Sequence, residues 1–190
     1  MKTAYTKSGQ ELRFLSAADI LNIPDEHLPL LVLSDDQRSW LAAAIKDHQQ
    51  GGYNHLMWMH RRGYVASQDL WFKERPVQDY LQAHRLKFWW NPHWTREQKG
   101  MILEAINRDL GRPWYQRSYD VAQILGIVVG MRGFVQIPGL RICSDYADYV
   151  GLVDPEFKKG KHLSPPDANR WLKKNREYQV YGRFDPDVEG

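Results

Sequence analysis

The sequence predicts a single domain of mixed helix and strand. Three observations carry that expectation. The chain has 190 residues, enough to bury about 70% of the surface that its unfolded form exposes. Short apolar runs of strand length alternate with longer segments of helical spacing. No repeat, linker or shift of composition divides the chain.

Taken in order, Leu12 to Leu21 reads as a short amphipathic helix, with Ser16 as a cap inside it and Pro24 beyond its end. His27 to Leu33 is a short apolar strand. Ser34-Asp35-Asp36-Gln37 has the hydroxyl cap and first-turn acids of a helix start, and the helix continues through Trp40 to Ile45 before Gly51-Gly52. Tyr53 to Met59 and Gly63 to Ala66 read as strands joined by a turn at His60-Arg61-Arg62-Gly63. Pro76 to Leu81 is a helical turn, and Arg85 to Trp90 another strand. Thr95-Arg96-Glu97-Gln98 is a capping box. The helix it opens carries Met101, Ile102, Ala105, Ile106 and Leu110 on one face and closes at Gly111. Tyr119 to Val129 reads as a buried helix, Ser164-Pro165-Pro166-Asp167 starts a last helix, and the polar tail beyond Tyr181 is expected to be loose.

Composition narrows the function classes. Hydrophobic residues at 43% and charged residues at 26% are ordinary for a globular domain. No window approaches the roughly 20 apolar residues of a membrane span, and no apolar stretch follows the N-terminal lysines, so neither a span nor a signal peptide is expected. A single cysteine forms no internal disulfide, which agrees with synthesis in the cytoplasm and does not forbid later delivery elsewhere. The net charge of +3 is slight and its lysines and arginines are scattered, so direct nucleic-acid binding is not expected despite 8 Trp and 10 Tyr. The aromatic run Phe88 to Trp94 suits either a core or the wall of a glycan or peptide groove.

The single cysteine, Cys143, stands where an extended piece gives way to helical spacing in Tyr146, Ala147, Tyr149 and Val150. A thiol in a first helical turn feels unpaired amides, whose field favours the thiolate, the nucleophilic form. A nucleophilic thiolate needs a proton carrier, and histidine has the suitable pKa. Of seven histidines, His27, His48, His84, His93 and His162 lie at element ends or in loops and are expected to be solvated. His55 opens the apolar strand Leu56 to Met59, where its ring is held by ordered backbone. His60 points to the other face of that strand, so the two do not form a zinc pair, and no metal or cofactor is expected.

Four segments in order carry a resemblance. They are Gly52-Tyr53-Asn54-His55, Tyr64-Val65-Ala66-Ser67-Gln68, Leu110-Gly111-Arg112-Pro113-Trp114-Tyr115, and Ile142-Cys143-Ser144-Asp145 with Leu163-Ser164-Pro165-Pro166-Asp167. Together they resemble the circularly permuted NlpC-like branch of the papain-like cysteine hydrolases, in which a strand histidine precedes a helix-head cysteine. The resemblance covers about residues 28 to 175, leaving an N-terminal extension, 1–27, and the tail, 182–190. It implies an α+β fold, with a small antiparallel sheet packed against the helix that begins at Cys143. It also implies hydrolysis or transfer at an amide or ester bond, with Cys143 as nucleophile, His55 as base and the Cys143 amide in an oxyanion hole.

Family members commonly place a glutamate or a second histidine behind the catalytic histidine. This chain has Ser67, Gln68 and Asp69 there. Gln68 or Ser67 is expected to orient His55, Gln68 having the longer reach. Substrates of this class are peptides, peptidoglycan fragments or lipid esters. The alternative is a papain-like fold kept as an interaction or assembly module. The oligomeric state is not legible in the sequence.

Overall fold

The computed structural model describes residues 2–5, 11–36, 52–69, 71–118, 143–157 and 165–189. The strands are β1 (Lys2–Tyr5), β2 (Glu11–Phe14), β3 (Leu30–Asp36), β4 (His55–Arg61), β5 (Tyr64–Gln68), β6 (Phe72–Pro76), β7 (His84–Trp90) and β8 (Gln179–Phe184). The α-helices are α1 (Ala17–Leu21), α2 (Gln78–Leu81), α3 (Arg96–Leu110), α4 (Pro165–Lys174) and α5 (Pro186–Glu189). A 3₁₀ helix, Cys143–Leu152, carries the cysteine. None of the described helices is long and apolar enough to cross a membrane.

The fold is α+β, built on one eight-stranded sheet in the order β1-β2-β8-β7-β3-β4-β5-β6. The sheet is larger than the small antiparallel one expected, and it is mixed, because β2 and β8 run parallel while the other ladders are antiparallel. Its central strands are buried on both faces, so their sequences read as continuous apolar runs rather than alternations. Leu56 and Trp58 point into a core with Ile102 and Ile106 of α3, Tyr149 and Val150 of the cysteine helix, and Ala168 and Leu172 of α4. Met57 and Met59 point the other way, into a core with Ile20, Leu86, Phe88, Tyr80 and Phe184. The aromatic run Phe88 to Trp94 is spent largely on these cores. Phe88 joins one, and Trp89 and Trp94 the other.

Four sequence expectations are corrected. Ser34 to Asp36 does not start a helix but extends β3, because ladders on both sides continue through this segment, Ser34 to His55 and Asp36 to His84. Residues 37–51, where that helix was expected to continue, lie outside the described residues, as do Tyr119 to Val129. Leu12 to Leu21 divides into β2 and α1, and Ser16 caps the second piece, its hydroxyl accepting from Asp19 N at 3.1 Å. The tail beyond Tyr181 is not loose. The end of β8 pairs with β7, and Arg85 holds Asp185 at 3.0 Å and Asp187 at 3.2 Å. The helix at Cys143 has 3₁₀ rather than α geometry.

The capping box at Thr95 forms as expected, Thr95 Oγ1 accepting from Gln98 N at 3.2 Å and Gln98 Oε1 from Thr95 N at 2.9 Å. The helix α3 it starts buries Ile102, Ala105 and Ile106, while Met101 on its edge is 43% exposed. Asp109, also buried, accepts from Tyr149 OH at 2.5 Å, and Arg112 lies 3.1 Å from its other oxygen. This contact ties the cysteine helix to α3, and a ring contact of 6.1 Å between Trp58 and Tyr149 ties it to the sheet.

Candidate active site

The β4–β5 hairpin sets the site. Its turn is tight at Gly63, whose φ of +73° lies in the left-handed region that glycine adopts without strain. Pairing of Met57 with Ser67 places those residues side by side on one face. By alternation His55 and Asp69 lie on that same face, and Gln68 on the opposite one. The side chains follow this arithmetic. His55 Nε2 lies 2.8 Å from Ser67 Oγ, and Ser67 donates to Asp69 Oδ1 at 3.0 Å. A serine hydroxyl has one proton, so with that proton on Asp69, Ser67 accepts from Nε2–H.

Cys143, buried at the head of its helix, is close enough to the His55 ring to raise its pKa, by charge first and then as a hydrogen-bonding neighbour. His55 is the first residue of β4, so the head of the cysteine helix meets it at the strand end while Tyr149 packs farther along on Trp58. Burial opposes charge on the ring, but Cys143, Asp69 and Asp36 outweigh it and raise the His55 pKa above 6.5. Asp69 is held down in turn. Burial disfavours its charge, but His55, Arg75 and Ser67 more than compensate. Arg75 Nη1 donates to Asp69 Oδ2 at 2.8 Å, Lys73 Nζ lies 3.7 Å away and Tyr80 OH donates to Oδ1 at 3.4 Å.

The structure therefore brings three sequence-selected residues, Cys143, His55 and Ser67, together and leaves Gln68 out. Gln68 cannot orient His55, because strand alternation sends it to the other face, where its amide donates to the Arg117 carbonyl at 3.0 Å. Asp69, passed over in favour of its neighbours, supplies the negative charge behind the imidazole. The signal was available in the hairpin register, which pairs His55 with the position of Asp69 once Met57 is set against Ser67.

His84 also departs from expectation. It is not solvated in a loop but opens β7, where its Nδ1 lies 2.7 Å from Ser34 Oγ. Burial chiefly lowers its pKa, Asp36 opposing and His55 adding to the effect. His27 Nδ1 likewise has a partner, Tyr181 OH at 3.0 Å, whereas His93 is exposed. His60 turns away from His55, its Nε2 lying 2.9 Å from Glu74. His48 and His162 lie outside the described residues.

Such an arrangement can generate a thiolate, hold an imidazolium against it, and return a proton to a leaving group. In comparison with known proteins, no family model matches this chain and no curated sequence matches it.

Proposed function

We propose that this chain is a cysteine-dependent hydrolase or acyltransferase acting at an amide or ester bond, on a permuted papain-like arrangement in which histidine precedes cysteine. The observation that carries the reading is the coupling of the buried Cys143 thiol to the His55 ring, with Ser67 and Asp69 behind the ring. A buried thiol kept only for packing needs no histidine, and a histidine kept only for packing needs no carboxylate relay.

The steps follow from the protons. Ser67 holds the Nε2 proton, which leaves Nδ1 to take the thiol proton of Cys143. The thiolate attacks the substrate carbonyl carbon, and the oxyanion that forms is met by the Cys143 backbone amide. The tetrahedral species collapses as His55 Nδ1–H passes its proton to the departing amine or alcohol, leaving a thioester on Cys143. Water, or an acceptor in a transferase, gives a proton to His55 and releases the acyl group. Asp69, 3.9 Å from Nε2 and hydrogen-bonded to the intervening Ser67, stabilises the imidazolium in both halves by its charge.

Peptides, peptidoglycan fragments and lipid esters are the substrate classes to test. Incubating the protein with such a panel and reading its intact mass detects the thioester. An adduct on wild type that is absent from Cys143→Ala supports the reading. A protein that acylates with none of them, and whose thiol is inert, is an interaction module instead.

A further inference from the structure

Lys87 lies in the middle of β7, only 1% exposed, where a lysine is costly unless its charge is matched. It is not matched by a carboxylate among the described residues. One ammonium proton goes to Asn169 Oδ1 of α4 at 3.1 Å, and the Trp89 ring lies under the nitrogen at 4.0 Å. An ammonium has three protons, so donors remain. The charged neighbours are cations. Arg183 stands directly across the β7–β8 ladder, and its Nε is buried with no hydrogen-bond partner among the described residues. Lys173, near the end of α4, adds a third positive charge. From β3, the residue opposite Lys87 is the apolar Leu33. Burial first, then Arg183 and Lys173, push the Lys87 pKa down to about 7.

The three cations are graded in depth. Lys173 is exposed, Arg183 half-buried and Lys87 fully buried. A fold gains nothing from converging three like charges on one unpaired arginine Nε and one buried amine, whereas an incoming anion satisfies all of them.

We infer that Lys87, Arg183 and Lys173 form a binding site for a small oxyanion, a carboxylate or a phosphate group. Lys173 draws it in, and the Lys87 ammonium and Arg183 Nε–H donate to its oxygens beside the Asn169 amide. The site is independent of the Cys143 chemistry and stands or falls without it.

The test is thermal melting at pH 6, where Lys87 is charged, with 0.1 to 50 mM inorganic phosphate or sodium acetate at ionic strength held constant by chloride. Wild type should show a saturable rise in Tm, reaching about 5 to 10 °C when the anion is at a hundred times its Kd. The anion that produces it identifies the group as phosphate or carboxylate. Lys87→Met should melt above wild type without anion, having lost a buried unpaired charge, and should lose the anion-dependent rise. Arg183→Met should lose most of the rise, and the surface variant Lys173→Ala should need several-fold more anion for half the effect. A wild type that responds to neither anion beyond chloride, or variants that respond as wild type does, would overturn the site.

Discussion

The Asp69 carboxylate stands 3.9 Å from His55 Nε2, with the Ser67 hydroxyl hydrogen-bonded to both. The ring is thus oriented by a neutral group and charged by an acid one step farther out. This separation of roles makes Ser67, Gln68 and Asp69, which are consecutive in sequence, experimentally distinguishable.

Ser67→Ala removes the acceptor for Nε2–H. Nε2–H is present in both the neutral ring and the imidazolium, and the bond to Ser67 is stronger from the charged ring, so the apparent His55 pKa should fall. Gln68→Ala, on the opposite face, should leave it unchanged while costing about 1 kcal/mol of stability through the lost bond to Arg117. NMR titration of the His55 ring, with denaturation of each variant, checks both. A shift in Gln68→Ala equal to that in Ser67→Ala contradicts the β4–β5 register.

Asp69→Asn tests the charge. The His55 pKa lies above 6.5, so the imidazolium persists as pH rises past that value and is lost on passing through the folded pKa. Removing the carboxylate lowers this pKa, and the alkaline limb of the pH–rate profile should move to lower pH. The stability linkage of Asp69 has the opposite sense. Its folded pKa is below 3.8, so its contribution is present above that pH and is lost as pH falls through the folded value. Asp69→Asn should therefore lose less stability than wild type between pH 4 and pH 2, measured by urea denaturation.

Tyr149→Phe should destabilise the cysteine helix. It leaves a buried carboxylate oxygen of Asp109, bonded at 2.5 Å in the native protein, without its phenol. The expected cost is about 1 to 3 kcal/mol, and amide exchange in residues 148–153 should quicken more than in β4. Equal protection of residues 148–153 in wild type and Tyr149→Phe contradicts the anchoring role.

Gly182→Ala should destabilise for a steric reason. A Cβ there would lie 2.6 Å from Leu15 Cγ and 2.7 Å from its Cδ1, inside van der Waals contact. Overpacking of this kind costs about 1 to 3 kcal/mol, readable as a lower Tm. Pairing it with Leu15→Ala should recover part of the loss.

Legibility in the sequence followed the range of the interactions. Where nothing distant competes, the local signal holds, and the Thr95–Gln98 box lies where its pattern placed it. His55 and Cys143 were selected by local chemistry, a strand-opening imidazole and a helix-head thiol. What failed was decided at a distance. Ser34-Asp35-Asp36 has the composition of a helix start, yet ladders to β4 and β7 override it. The polar segment after Tyr181 became a strand because β7 offered an edge to it. The choice between Gln68 and Ser67 turned on register, where an error of one residue reverses the face.

Reactivity of Cys143 against pH tests the central claim most directly. If His55 and the helix head act together on the thiol, iodoacetamide should alkylate the native protein rapidly near pH 6, well below the free-cysteine pKa of about 8.5. His55→Ala should move the midpoint toward that value, and Asp69→Asn should move it part of the way. Slow alkylation that is the same in wild type and His55→Ala, and that becomes fast only on unfolding, would contradict the account and leave Cys143 a packed, inert thiol.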